Sequence, residues 1–186
     1  MKHKTYFLFQ ILFFCLFVHQ ITVAQELEED KAAVKIKQLL HLGDSLLEVE
    51  PSKTILNAEQ ILELTSQEQY IKWRLAAYIQ LGNAHLYLKN YSKSELFYRQ
   101  ALQAAQMCQD RHFELVATLG ISKIMERKGE YALTIDELLK ALDLANRLGN
   151  KDKEADIYAQ LAHVCYNYED IKKAIQYLTL AKEIYQ

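Results

Sequence analysis

The chain is poor in the residues that interrupt helices and in those that build disulfide scaffolds. Its 186 residues include one proline, five glycines and three cysteines. So few breakers exclude collagen-like and low-complexity chains, and three cysteines are too few for a disulfide-rich fold. Charge of either sign is not in excess, with 22 Lys and Arg against 24 Asp and Glu. Nothing in this balance favours a nucleic acid as the partner.

The sequence also lacks the short motifs of common catalytic and metal sites. It contains no HExxH metal motif, no glycine-rich phosphate loop and no GxSxG nucleophile elbow. His163 and Cys165 are two positions apart, so they point to different sides of a helix, which disfavours a metal site there. We therefore predict that the chain is not an enzyme and that it holds no cofactor and no metal.

The first 24 residues differ in composition from the rest. Lys2 and Lys4 make a basic start, residues 6–18 are almost wholly apolar, and the small residues 22–24 follow. This order is typical of a secretory signal peptide with cleavage after Ala24. The alternative is a retained membrane anchor, but the apolar run is shorter than the roughly 20 residues that span a bilayer. We predict a signal peptide at 1–24 and an exported domain at 25–186.

After the leader, one pattern of side chains recurs at a step of 40 residues. Its members are spaced three, four and three positions apart, which places them on one helical face. The four copies are Pro51, Thr54, Ala58, Ile61; Tyr91, Ser94, Tyr98, Ala101; Tyr131, Thr134, Leu138, Ala141; and Ile171, Ala174, Leu178, Ala181. Four copies in phase indicate a repeat array.

Each copy contains two helical stretches and no alternating strand pattern. We predict helices at about 33–48, 51–64, 69–88, 92–107, 112–128, 131–148, 151–168 and 171–185. Connections of about two to five residues force neighbouring helices into antiparallel hairpins. The predicted hairpins cover about 33–66, 67–108, 109–149 and 150–186.

These features resemble tetratricopeptide repeats in a lengthened form of about 40 residues. The family's turn and helix motifs match at Leu81-Gly82, Asn90-Tyr91, Tyr98, Ala101-Leu102, Gly129-Glu130-Tyr131 and Ala141-Leu142. In the third repeat, Leu119-Gly120 falls two residues ahead of the phase, and Ile121-Ser122 takes its place. The resemblance covers about 33–186 and implies an all-α, right-handed α-solenoid of four hairpins. It also implies a concave groove that binds a protein or peptide.

In this family the first helix of each repeat lines the groove. Carried over residue by residue, its positions in repeats two to four are Ala76, Ile79, Asn83, Leu86, Val116, Leu119, Lys123, Glu126, Asp156, Ala159, His163 and Tyr166. Repeat one supplies Ile36, Leu39, Gly43 and Leu46. The alternative is that the N-terminal helix or its neighbours cover Ile36, Leu39 and Leu46. A subgroup of the family clamps carboxylates with Lys, Asn and Arg. Asn83 and Lys123 suit such a clamp, but Ala76, Gln80, Val116 and Gly120 do not, so we predict no chaperone-tail clamp.

Packing between helices is expected to pair small residues with large ones. Small residues allow close approach, and Tyr98, Leu138 and Leu178 fill the space opposite. The small residues are Gly82, Ala101, Ala141, Ala162 and Ala181. Cys108 and Cys165 lie a whole repeat apart, beyond the ~7 Å limit for the Cα atoms of a disulfide. We therefore predict two buried free thiols.

The sequence stops inside the second helix of repeat four, with no polar capping helix after it. We expect Ala174, Leu178 and Ala181 to present an uncovered face to a second copy or to a downstream domain. Exported arrays of this type resemble the periplasmic sensing regions of bacterial sensor kinases. The leading prediction is an interaction scaffold in the periplasm or at the cell surface of a bacterium. The alternative is the N-terminal sensory region of a membrane signal-transduction protein, such as a histidine kinase or a transcriptional regulator.

Overall fold

A computed structural model of the chain describes residues 31–65 and 70–185. This part is all helical and contains no strand. Helix α1 covers residues 31–46. The others are α2 (Pro51–Leu64), α3 (Ile71–Tyr87), α4 (Tyr91–Met107), α5 (Arg111–Arg127), α6 (Tyr131–Leu148), α7 (Lys151–Asn167) and α8 (Ile171–Tyr185). The architecture is the predicted α-solenoid of helix hairpins. The predicted signal peptide lies outside the described residues.

Local sequence signals fix the helix ends. Pro51 occupies the first turn of α2, where its missing N–H is not needed. The Asp110 carboxylate accepts hydrogen bonds from the first backbone N–H groups of α5, and the Asn150 side chain accepts one at the start of α7. Gly149 ends α6 in the left-handed conformation, with φ 64°. Because such signals act within a few residues, α2, α6 and α8 match their predicted bounds, and the other helices differ by no more than two residues at either end.

The solenoid has a row of small cores instead of one centre. From α2 onward each helix packs against the next one in the chain, and α3 also contacts α5. One core joins α1, α2 and α3 around Ile36 and Ile61, a second surrounds Tyr98, and a third surrounds Leu138 and Leu161. This arrangement is expected for a repeat array, in which each hairpin buries its apolar face against its neighbours.

The last helix shows which faces a neighbour covers. Leu138 of α6 is 1% exposed because α7 lies over it, whereas Leu178, at the equivalent position of α8, is 56% exposed. The prediction that Leu178 fills a packing hole is therefore wrong within the described residues. Ala174 and Ala181 were expected on the uncovered face, but both are buried. The small residues Ala174 and Ala181 are thus buried on α8, whereas Leu178 remains largely exposed.

The two cysteines differ in their environments. Cys165 is buried, as predicted, and both thiols are free. Cys108 is exposed, so the prediction of a second buried thiol is wrong. The reason is its position: Cys108 is the residue that follows the last turn of α4, where the helix ends. In the part of the chain that the structure describes, no helix is both apolar enough and long enough to cross a bilayer.

Candidate groove and basic pocket

The twelve predicted groove residues of repeats two to four lie on α3, α5 and α7. None of them is fully buried: Lys123, His163 and Tyr166 are exposed and the other nine are half-buried. Some of the apolar members also complete the cores, since Ile79 and Leu86 pack against the cluster around Tyr98. Their side chains are therefore held by packing while part of each one remains accessible.

Four of the twelve line one open pocket with a volume of about 450 Å³. They are Asn83, Leu86, Lys123 and Glu126. We call this site the basic pocket, and its other lining residues are Tyr87, Lys89, Tyr91, Arg127 and Gln160. Its volume lies within the ~300–1,000 Å³ range of ligand sites. The pocket is built where the ends of α3 and α5 meet the middle of α7.

Part of this lining lies outside the groove positions predicted from the sequence. Lys89 and Tyr91 belong to the turn and start of α4, outside the first helices that the family resemblance singles out. Arg127 follows Glu126 on α5 and is not among the twelve groove positions that the family resemblance implies. No short-range pattern points to these residues, because they come together only when α3, α5 and α7 stack side by side.

Tyr98 positions one polar group of the pocket. Its ring is 1% exposed and lies between two glycines. A Cβ atom at Gly82 would be 3.0 Å from the ring, and one at Gly120 would be 2.1 Å from it. The Tyr98 hydroxyl donates a hydrogen bond of 2.5 Å to Asn83 Oδ1. This bond fixes the amide, so that its Nδ2 group keeps both donors for other partners.

Burial of Tyr98 also settles its protonation state. Removal of the phenol from water raises its pKa far above the usual range. The hydroxyl therefore stays neutral and keeps its proton for Asn83 at any physiological pH. Gly120, which looked out of phase in the sequence, supplies the space that the ring needs.

A hydrogen bond connects two walls of the groove. His163 Nδ1 donates to Glu126 Oε1 over 3.0 Å, which joins α7 to α5. Asn167 lies 3.5 Å from the other ring nitrogen of His163. Residues 31–65 and 70–185 contain no group of three or more His, Cys, Asp or Glu side chains placed to hold a metal ion.

Farther along the groove, Asp156 is already engaged. Its Oδ1 atom accepts a hydrogen bond of 2.7 Å from the Tyr185 hydroxyl, and its Oδ2 atom lies 3.1 Å from Lys153 Nζ. The Tyr185 bond is the main cause that lowers the pKa of Asp156, and Lys153 adds to it. Asp156 is therefore ionised and holds the end of α8 against α7.

Repeat one does not follow the predicted phase. The α1–α2 connection has four residues (47–50), whereas the equivalent later connections (88–90, 128–130 and 168–170) have three. As a result, Thr54 donates to the Gly43 carbonyl where Ser94 donates to the Gly82 carbonyl, and the two glycines are 39 residues apart.

The shift of one residue removes two predicted groove residues from that surface. Ile36 is fully buried in the first core, and Gly43 is buried under Gln80. The alternative that the N-terminal helix or its neighbours cover Ile36, Leu39 and Leu46 is therefore correct for Ile36, while Leu39 and Leu46 are half-buried. Asp44 comes closer to the groove wall, where its Oδ1 atom accepts a 2.7 Å hydrogen bond from Gln80 Nε2.

Comparison with known proteins identifies the fold and leaves the family open. No protein-family model matches this chain, and no curated protein matches it either. Among solved structures, aspartyl phosphate phosphatase F from Bacillus subtilis is similar over 81% of this chain, with a TM-score of 0.76 and 16% sequence identity. The match covers 40% of the length of that phosphatase chain. At this identity the similarity shows that the chain has a tetratricopeptide-like helical-repeat fold.

Proposed function

We propose that this protein is an interaction scaffold that binds a peptide or a protein segment in the groove of α3, α5 and α7. The observation that carries the proposal is the basic pocket: an open site of about 450 Å³ lined by half-buried apolar groups and by polar groups from four helices and a turn. Groove residues held by packing need little reordering on binding, and this lowers the entropic cost of association. We propose no catalytic role for the described residues.

Export is part of the same proposal. The basic start, short apolar run and small residues at 1–24 have the order of a signal peptide. The scaffold would then act in the periplasm or at the surface of a bacterium. Cleavage after Ala24 is testable by N-terminal sequencing of the protein recovered from an envelope fraction.

A second candidate is the sensory region of a membrane signal-transduction protein. The exposed stripe on α8 favours it, since Ile171, Ile175 and Leu178 are 50%, 60% and 56% exposed. A further domain or a second copy of the chain would cover these side chains. Sequencing of the gene beyond the codon for Gln186 separates the two candidates, because only the second requires further coding sequence.

A test of the groove uses peptides selected by the protein itself. A random dodecapeptide library is panned on the chain, and the affinities of the selected peptides are measured for two tryptophan variants. Ala159→Trp places a large ring on the half-buried groove face of α7, and Ala132→Trp places the same ring on an exposed position of α6. We expect Ala159→Trp to weaken binding at least about tenfold and Ala132→Trp to leave it unchanged. If only Ala132→Trp weakens the binding of the selected peptides, the proposal that they bind in the groove is refuted.

A further inference from the structure

We propose that the basic pocket binds an acidic peptide segment, with side-chain carboxylates of the partner seated between Lys89, Lys123 and Arg127. Lys89 and Arg127 lie outside the positions of the chaperone-tail clamp, which we still predict to be absent. This inference rests on the proposed function and adds the chemistry of the partner to it. It depends on three features of the pocket: uncompensated positive charge, hydrogen-bond donors with fixed orientation, and an apolar wall beside them.

The charge of the pocket differs in sign from that of the chain. Three cations and one carboxylate line it, giving a formal charge of +3 − 1 = +2, whereas the whole chain carries −2. Within the described ranges, no ion pair joins Lys89, Lys123 or Arg127 to a carboxylate. By contrast Lys128, the residue after Arg127, pairs with Glu95 at 3.1 Å. Unpaired cations that converge on a concave site raise the local concentration of anionic ligands.

The carboxylate of the pocket is occupied by another partner. Glu126 Oε1 accepts the hydrogen bond of His163 on the α7 side. The Asn83 side chain also remains available as a donor. Its Oδ1 atom accepts the hydrogen bond of Tyr98, so its Nδ2 group is free to donate to another partner. Lysine and arginine side chains offer donors only. The pocket is therefore rich in donors that a carboxylate can satisfy, which makes it a better host for Asp or Glu side chains than for cationic ones.

An apolar wall stands beside the donors. Leu86 and Tyr91 are half-buried against the core around Tyr98, and the Tyr87 hydroxyl donates to Glu48 over 2.9 Å. Anchored rings of this kind accept an apolar side chain without ordering themselves on binding. The expected ligand thus has acidic residues on either side of an apolar or aromatic one.

A nucleic acid fits these observations less well than a peptide. Nucleic-acid sites neutralise several successive phosphates along a basic track, but this pocket has three cations in a chain with net negative charge. The long-range field would repel a polyanion, whereas a short acidic segment experiences mainly the local cations within a screening length of about 8–10 Å.

The probe is a fluorescein-labelled dodecapeptide with four Glu residues around one Phe, and its twin carries Gln in place of Glu. Binding to the full chain is measured by fluorescence anisotropy. We expect the Glu peptide to bind at least about tenfold more tightly than the Gln twin and to lose at least about tenfold in affinity when salt is raised from about 50 to 500 mM. Equal binding of the twins, or no binding of the Glu peptide, would overturn the proposal.

Charge-reversal variants locate the site. Lys123→Glu combined with Arg127→Glu should weaken binding of the Glu peptide at least about tenfold. The matched control, Lys172→Glu with Lys182→Glu on α8, makes the same change in net charge at exposed positions outside the pocket and should change binding less than about twofold. Circular dichroism checks that both variants fold, and Lys123→Arg should retain affinity. An equal loss in both double variants would refute a local site.

Lys89 offers a separate check, because its backbone is left-handed with φ 57°. Lys89→Gly removes a pocket cation and relieves this strain, and Glu169→Gly relieves the same strain (φ 64°) away from the pocket. Only Lys89→Gly should weaken peptide binding. If no charge variant affects binding while Ala159→Trp still weakens the binding of the selected peptides, the proposal of an acidic ligand is wrong and the proposal of a binding groove is retained. If Ala159→Trp also has no effect, the proposed function fails as well.

A single-stranded oligonucleotide of similar length tests whether the pocket prefers phosphate groups of a nucleic acid to carboxylates of a peptide. We expect it to bind at least about tenfold more weakly than the Glu peptide, because the chain has net negative charge and the pocket has only three cations to neutralise successive phosphates. Tighter binding of the oligonucleotide would overturn the assignment of a peptide ligand.

Discussion

The contact between Tyr98 and Gly120 makes the sharpest quantitative prediction. Gly120→Ala adds one methyl group in the interior of α5, at a point where it would be 2.1 Å from Tyr98 Cε1. Ordinary carbon contacts are ~3.5–4.0 Å, so the ring or the helix must shift by more than an ångström. The ring also lies close to α3, since a Cβ at Gly82 would be only 3.0 Å from it, so a retreat in that direction is limited to the space that the missing side chain leaves.

Two opposing terms set the size of the effect. Replacement of Gly by Ala in a helix interior is worth about 1 kcal/mol of added stability when the site is open. Overpacking of a closed site costs about 1–3 kcal/mol, and this contact lies at the severe end of that range. We expect Gly120→Ala to lower the free energy of unfolding by about 1–2 kcal/mol, equivalent to a decrease of roughly 2–8 °C in melting temperature for a chain of this size.

The control is the same substitution in a Tyr98→Leu background. Leucine is chosen because it is the residue at the equivalent position of the next repeat, Leu138. Leucine removes the ring atoms that clash, so Gly120→Ala should now raise stability by about 1 kcal/mol. The resulting coupling of about 2–3 kcal/mol is measurable in a double-mutant cycle from urea unfolding followed at 222 nm. If Gly120→Ala has the same effect in both backgrounds, the two residues do not share this contact and the packing argument is refuted.

Three other perturbations test separate parts of the structure. Glu169→Gly should stabilise the chain by about 1 kcal/mol in thermal melts, because glycine adopts the left-handed backbone (φ 64°) without penalty; a lower melting temperature would contradict this. Burial, and then Lys93, lowers the pKa of His85 below its usual 6.5. The unfolded chain therefore binds the proton first, so stability that is full above pH 6.5 should decrease as the pH falls below that value; urea midpoints of His85→Leu should depend less on pH, and an unchanged dependence would count against this assignment. A thiol reagent should label exposed Cys108 within the native protein and buried Cys165, whose pKa burial raises, only on unfolding; peptide mapping that finds Cys165 labelled first would contradict the burial.

The exposed cysteine shows where sequence reasoning reached its limit. The 40-residue phase placed Cys108 at the end of the second hairpin, but the burial of a helix end depends on how far the neighbouring hairpin extends. The buried position of Cys165 followed more directly, since it lies among the apolar residues of α7. The twelve groove residues of repeats two to four occur on the expected helices, although their part in binding stays a prediction.

The sequence by itself determined the helices and their order. Proline at the start of α2, polar caps such as Asp110 and the left-handed Gly149 act over a few residues, so they are legible in the chain alone. The recurring pattern every 40 residues determined the stacking of hairpins, because each copy must bury the same apolar face.

Only the tertiary structure decided how neighbouring repeats fit together. One extra residue in the α1–α2 connection moved Ile36 from the predicted groove into the first core, and a ring on α4 required the absence of a side chain at Gly120 on α5. The basic pocket has the same origin, since Lys89 and Arg127 are 38 positions apart and meet through helix stacking. Size complementarity and the convergence of charges depend on distances between helices, and local periodicity carries no information about those distances.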